Sequence, residues 1–256
     1  MLSTYRRSRV IATGLFIGCS VILVVGVSGA KLGLFSKPIP QIQLHVTNKT
    51  SSVLITNSRQ LNNGDVEVTL LNQSNKAIYA YTILTTEYPV RNAVTTFAIT
   101  APVAPGATAS EKIPKGNLET AAGDAAGTRE IVFSALYLEG GTAEGDARES
   151  EKLRQTMGGM KEQARVALRV LRDALNSRED DSERLLEAVE ARASSLPVKD
   201  ESAPSSHEFE FGKATVNDRL LREIKKLRQV KASPGFNVKS QLAELLSFYE
   251  RLAEKL

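Results

Sequence analysis

The chain has 256 residues, of which 42% are hydrophobic and 24% are charged. These values are typical of a globular protein with one or two domains. Three of its 33 basic residues lie within the first nine positions, and without them 30 Lys+Arg face 29 Asp+Glu. Proteins that bind nucleic acid need a concentrated basic face. The nearly neutral balance therefore argues against nucleic acid as a partner.

Residues 10–30 form an uncharged and mostly apolar run that follows Arg6, Arg7 and Arg9. As a helix this run would span about 32 Å, enough for a hydrocarbon core of roughly 30 Å. Because basic residues stay on the cytoplasmic side, we expect a signal-anchor: a single-pass membrane protein with a cytoplasmic N-terminus and an extracytoplasmic bulk. The alternative is a signal peptide that is cleaved after residues 28–30, which would leave a secreted or periplasmic protein.

The only cysteine, Cys19, lies inside this apolar run. The exported part is therefore expected to contain no disulfide bond, even in an oxidising compartment. Acylation of Cys19, as in a lipoprotein, is disfavoured because the apolar run continues beyond it. We expect the hydrophobic core alone to hold the fold together.

Hydrophobic side chains alternate with polar ones after residue 38, which is typical of β-strands. Residues 78–85 are apolar on both faces, as expected of a central strand. The pattern predicts about seven strands, near residues 42–46, 53–56, 66–70, 78–85, 95–100, 107–113 and 130–138. Short strands at this spacing favour an antiparallel β-sandwich. The expected core includes Val68, Leu70, Ile83, Phe133 and Ala135.

Residues 66–81, VEVTLLNQSNKAIYAY, resemble the strand–turn–strand core of immunoglobulin-like or fibronectin-like domains. Such domains occur on exported or membrane-anchored bacterial proteins. Residues 138–146, LEGGTAEGD, resemble the end of the last strand in proteins of that kind. The resemblance covers at most residues 40–146. It implies a binding or spacer module and brings no catalytic residues with it.

After residue 145 the hydrophobic period changes to that of helices. Asp146 is placed to cap the first helix, which the pair Gly158-Gly159 is expected to break. The pattern predicts helices near residues 146–176, 182–193, 216–230 and 238–255, with a polar linker at 194–206. Their apolar stripes must be buried against each other, against the sandwich or against a protein partner.

Few side chains suggest chemistry. His45 lies in an expected strand and His207 in the linker, and neither belongs to a metal-binding motif. The acidic residues between positions 139 and 151 do not have the spacing of a calcium-binding loop, so capping and solvation explain them better. The arginines at positions 165, 169 and 172 form a stripe that could meet an acidic partner or anionic lipid, although such a stripe is more often a solvated face. We therefore predict no catalytic, cofactor-binding or metal-binding residue.

The sequence thus predicts an α+β chain that consists of an N-terminal transmembrane helix, an antiparallel β-sandwich of about seven strands and a C-terminal helical region. The expected divisions are residues 1–37, 38–145 and 146–256. The expected function is binding or scaffolding outside the cytoplasm, with membrane attachment through residues 10–30 and a protein partner on the C-terminal amphipathic helices. The alternatives are a soluble exported protein and an enzyme whose site has no recognisable motif.

Overall fold

The structure, a computed structural model, describes residues 43–87, 90–114, 128–199, 206–230 and 236–256. Within these ranges eight strands are followed by four helices. The strands are β1 (Gln43–Asn48), β2 (Val53–Gln60), β3 (Val66–Asn72), β4 (Ile78–Glu87), β5 (Val90–Phe97), β6 (Thr108–Ile113), β7 (Thr128–Leu138) and β8 (Thr142–Gly145). The helices are α1 (Ala147–Leu175), α2 (Ser182–Ser194), α3 (His207–Val230) and α4 (Val238–Lys255).

The strands form two sheets. The large sheet has the order β1-β7-β4-β5. Strands β1 and β8 pair with the same edge of β7, β1 with its first half and β8 with its second half. The small sheet has the order β2-β3-β6 and is antiparallel. Strand β1 runs parallel to β7, with Gln43 opposite Thr128 and Asn48 opposite Phe133.

The expected fold class is therefore wrong, although its α+β order is right. The sheets contain a parallel pair and an eighth strand, so the sandwich is not purely antiparallel. Alternation along a strand has the same period in both orientations, which is why the sequence did not reveal the parallel pair. None of the four described helices is long and apolar enough to cross a membrane. The expected transmembrane helix over residues 10–30 lies outside the described residues.

Apolar side chains from both sheets fill the sandwich core. Phe133, Ile83 and Val68 are almost completely buried there, and the rings of Phe133 and Tyr81 lie 5.7 Å apart. The two remaining predicted core residues, Leu70 and Ala135, are also buried. Four of the five predicted positions of the sandwich core are thus confirmed, whereas Ala135 is buried on the opposite face of the large sheet, against the helices.

The helices cover this opposite face of the large sheet. Tyr79 and Tyr137 project from it into a second core that is built mostly by the four helices. Helix α1 packs on β7, β8 and β4, and it also contacts the other three helices. The protein therefore has three layers: small sheet, large sheet and helices. Because both faces of β4 are covered, residues 78–85 are apolar on both sides, as predicted.

A bulge at Ser134 fixes the start of α1. Thr82 pairs with Ala135 and Ile83 with Phe133, so Ser134 is the extra residue. Its hydroxyl donates to the carbonyl oxygen of Thr82 at 3.0 Å, and its own carbonyl oxygen accepts from the amide of Asp146 at 2.7 Å. Local β-bulges of this kind redirect neighbouring side chains. Here the bulge places the first turn of α1 beside β7.

Two of the four predicted helices differ from the structure. Helix α1 continues through Gly158 and Gly159, where a break was predicted, and α3 begins at His207 rather than near residue 216. The bounds of α2 and α4 agree with the prediction to within a residue. The reason for both differences is the contact between α1 and α3, in which the backbone at Gly159 lies directly against Phe209 of α3.

Candidate functional site

An open groove of about 330 Å³ lies where the large sheet, α1 and α3 meet. Strand β5 forms the edge of the sheet on this side, and its only partner among the described strands is β4. The groove is lined by Thr82 of β4, by Ala93, Thr95 and Phe97 of β5, by Glu149, Lys152, Leu153 and Thr156 of α1, and by Glu208 and Phe211 of α3. We refer to it below as the β5 groove.

Two aromatic rings form the apolar part of the β5 groove. The centroids of Phe97 and Phe211 lie 6.3 Å apart, with the ring planes tilted by 42°. Offset and tilted pairs at this distance attract each other. Even so, 49% of Phe211 remains exposed, slightly more than of the two other exposed large apolar side chains in the described part of the chain, Leu54 and Val230. The groove therefore presents an aromatic surface to solvent.

Charged groups line the helical side of the β5 groove. The Lys152 ammonium lies 3.0 Å from the Glu149 carboxylate on the same helix. Glu208 lies in the first turn of α3, where a carboxylate is stabilised by the positive end of the helix dipole. Glu208 forms no ion pair with another of the described residues. The net charge of the groove lining is therefore negative.

Hydroxyl groups lie on the sheet side. The hydroxyls of Thr82 and Thr95 face each other across β4 and β5 at 3.1 Å. Alternate residues of a strand point to the same face, so Ala93, Thr95 and Phe97 all face the groove. The result is a surface with an aromatic end and polar walls.

A second groove, of about 260 Å³, lies between α3 and α4. Two of its lining groups contact each other, since the Arg219 guanidinium lies 4.5 Å from the centroid of the Phe248 ring. Such cation–π contacts are stabilising. In this groove the aromatic ring is therefore in contact with a cation of the same chain, whereas Phe211 in the β5 groove remains half exposed.

The two histidines do not meet in a site. His45 is exposed on β1, opposite Glu130 of β7, and His207 is exposed at the first position of α3. His207 thus belongs to a helix and not to the predicted linker. Among the described residues no group of three or more His, Cys, Asp or Glu is arranged to hold a metal ion.

The acidic cluster is divided among separate structural contacts. Asp146 caps α1 as predicted, since its carboxylate accepts from the amides of Arg148 and Glu149. It also accepts from Lys49 at 3.2 Å, and that hydrogen bond is the first cause of the lowered pKa of Asp146. Glu151 pairs with Arg154 at 2.7 Å, which lowers the pKa of Glu151.

The two acids nearest the β7–β8 turn also have partners. Glu139 pairs with Lys255 at 2.7 Å, and this contact lowers the pKa of Glu139. Glu144 accepts hydrogen bonds from the amides and hydroxyls of Ser51 and Ser52. It thereby ties the β1–β2 turn to β8. All five acids thus contribute to local structure.

The predicted arginine stripe lies on the surface of α1. The side chains at positions 165, 169 and 172 are exposed. Arg172 pairs with Glu250 of α4 at 2.8 Å, so this end of the stripe links two helices. The apolar stripes of all four helices contribute instead to the second core.

The sequence analysis missed the β5 groove. Helix α3 contributes two lining residues, the acidic Glu208 and the aromatic Phe211, and both lie in the segment HEFEF. The alternation of polar and apolar residues in this segment hid the start of a helix. The available signal was Phe209 and Gly212 at helical spacing before Val216, all three on the side of α3 that packs against its neighbours.

The described residues form a three-layer α+β fold with an aromatic pair exposed in the β5 groove. Comparison with known proteins found no match: no protein-family model fits the sequence, and no curated protein and no solved structure is significantly similar to it.

Proposed function

We propose that this chain is a binding or scaffolding protein that acts outside the cytoplasm and docks a protein partner in the β5 groove. It is held at a membrane by residues 10–30. The proposed location rests on the uncharged run and on the three arginines before it.

The observation that carries the proposal is the exposed ring of Phe211. Single apolar side chains on a surface are common, but Phe211 lies against a second ring, Phe97, in an open groove. Leaving such a surface in water is unfavourable, and exposed apolar patches with polar rims mark interaction sites when they extend beyond single scattered side chains. Aromatic residues are also enriched among the side chains that dominate binding energy at protein interfaces.

Photo-cross-linking in native membranes tests this proposal. Phe211 is replaced by p-benzoylphenylalanine in the full chain, and Leu54 is replaced in the same way as the control. Leu54 is also exposed, at 45%, but it lies on β2 of the small sheet. We expect a defined cross-linked partner from position 211 and none from position 54. Equal labelling from both positions, or none from either, would contradict the proposal.

The proposed location has its own test. We expect the chain to stay in the pellet after a carbonate wash and to keep residues 10–30, as measured by the intact mass of the mature protein. A soluble product whose N-terminus lies just after residue 30 would contradict membrane attachment and indicate an exported soluble protein instead. That result would leave partner binding in the β5 groove unaffected.

A further inference from the structure

We infer that the β5 groove binds an extended segment of the partner, which adds as a strand to β5 and carries a basic side chain next to an apolar one. The inference deepens the proposed function and rests on it. It follows from three features of the groove: a strand edge with no partner among the described strands, an aromatic pair beside that edge, and an excess of negative charge among the lining residues.

The strand edge supplies main-chain hydrogen bonds. On the side away from β4, β5 has no strand partner among the described residues. Extended segments bind to such edges by adding a strand, and affinity then comes from backbone hydrogen bonds. A compact ligand would fill the groove without using this edge.

The aromatic pair supplies side-chain selection. An added strand would lie about 4.8 Å from β5, with alternate side chains on the face that carries Ala93, Thr95 and Phe97. One side chain of the added strand would then reach the exposed side of Phe211. The best occupant of that position is an apolar side chain, because it covers ring surface that is now in water.

Charge supplies the second preference. The Glu149 carboxylate is already balanced by Lys152 at 3.0 Å, which leaves Glu208 as the unbalanced charge of the lining. The same added strand would carry its next groove-facing side chain two residues from the apolar one. A lysine or arginine there complements Glu208, and an acidic residue would be repelled.

Synthetic peptides of alternating sequence test the inference. The probes have the form Thr-Val-Thr-x-Thr-z-Thr-Val-Thr with blocked ends, where x is Leu, Ile, Val or Phe and z is Lys, Arg, Glu or Thr. Binding to the full chain is measured by fluorescence anisotropy. We expect the basic peptides to bind and the peptides with z as Glu to bind at least about tenfold more weakly. No binding by any peptide, or no preference for the basic ones, would overturn the inference.

Two variants and one control locate the binding. Phe211→Ala should lower the affinity for the basic peptides by about tenfold or more, because an aromatic anchor is lost. Glu208→Gln should remove most of the preference for lysine over glutamate while keeping the apolar contribution. The matched control Leu54→Ala should bind like the wild type. All three side chains are at least partly exposed, so the variants are expected to fold, which circular dichroism checks.

Hydrogen exchange distinguishes strand addition from simple groove filling. With a bound peptide, amide exchange should slow within residues 93–97, and peptides that are N-methylated at alternate residues should fail to bind. Benzyltrimethylammonium is the probe for a compact cation. If it binds in a Phe211-dependent manner while no peptide protects β5, the site is a pocket for small cations and the inference is wrong.

Failure of the strand-addition inference and failure of the proposed function give different results. A partner that cross-links through position 211 without any peptide effect at β5 would retain the proposed function and reject strand addition. Peptide binding with protection of β5, but without any cross-linked partner in native membranes, would support the inferred ligand chemistry and count against the proposed function.

Discussion

Replacing Gly212 by alanine should destabilise the helical layer strongly. A Cβ atom added at this position of α3 would overlap the carbonyl oxygen of Thr156 and lie 2.9 Å from its carbonyl carbon. Ordinary contacts begin near 3.4 Å. The obstacle is the backbone of α1, which cannot rotate away as a side chain would. The helices therefore have to separate, and the contacts on both sides of the crossing are loosened with them.

The magnitude follows from two opposing effects. Overpacking of a tight contact typically costs 1–3 kcal/mol, and an immovable backbone favours the upper end, about 3 kcal/mol. Alanine in place of glycine within a helix returns about 1 kcal/mol. The net loss is about 2 kcal/mol, which lowers the midpoint of thermal unfolding by roughly 4–8 °C in a protein of this size.

A neighbouring glycine provides the control. A Cβ atom at Gly158 would lie 3.6 Å from the ring of Phe209, which is an ordinary contact. Gly158→Ala should therefore stabilise the protein by about 0.5–1 kcal/mol through helix propensity alone. Urea unfolding monitored by circular dichroism measures both variants. If Gly212→Ala is as stable as Gly158→Ala, the backbone contact between α1 and α3 does not exist as described.

Three further changes test other parts of the structure. Phe133→Ala should destabilise by about 3–5 kcal/mol in urea unfolding, because the ring is fully buried between the sheets; a loss below about 1 kcal/mol would remove Phe133 from the core. Tyr137→Phe should cost about 1 kcal/mol in the same assay, because its hydroxyl donates a buried 2.9 Å hydrogen bond to the carbonyl oxygen of Leu256; an unchanged midpoint would mean that this bond does not hold the C-terminus. Burial, the largest single influence, raises the pKa of Glu144, but hydrogen bonds from residues 51–52 together bring it below its ordinary value of 4.5. A lowered folded-state pKa gives stability that is present above pH 4.5 and lost as the pH falls through the lower value. The advantage of wild type over Glu144→Gln should therefore shrink as the pH falls below 4.5 in thermal unfolding, and a difference that stays constant would refute this role.

Several elements were predictable because their sequence patterns depend on burial or on contacts between residues that are close in the chain. Alternation placed β3, β4 and β7, and the helical period placed α2 and α4, since each of these elements buries a regular set of side chains. Asp146 was predicted as a cap because its side chain accepts from amides only a few residues away. In each case the deciding contacts are close in sequence or follow directly from burial.

The β5 groove was not predictable, because its lining comes from four distant segments. Phe97 and Phe211 are more than a hundred positions apart, and nothing in their local sequences indicates that the two rings meet. The strand β5 itself was predicted too late in the chain, near residues 95–100, because residues 90–94 contain an arginine and an asparagine.

The sequence by itself determined the order of strands and helices, the sandwich core around Phe133 and the cap at Asp146, because alternation, helical period and capping act over a few residues. Only the tertiary structure decided that β1 runs parallel to β7, that the pair Gly158-Gly159 lies within a continuous helix, and that Phe211 meets Phe97 at an open edge. Glycine breaks an isolated helix because it lacks a side chain. At Gly159 the missing side chain instead lets α3 approach α1, and packing between helices outweighs local propensity.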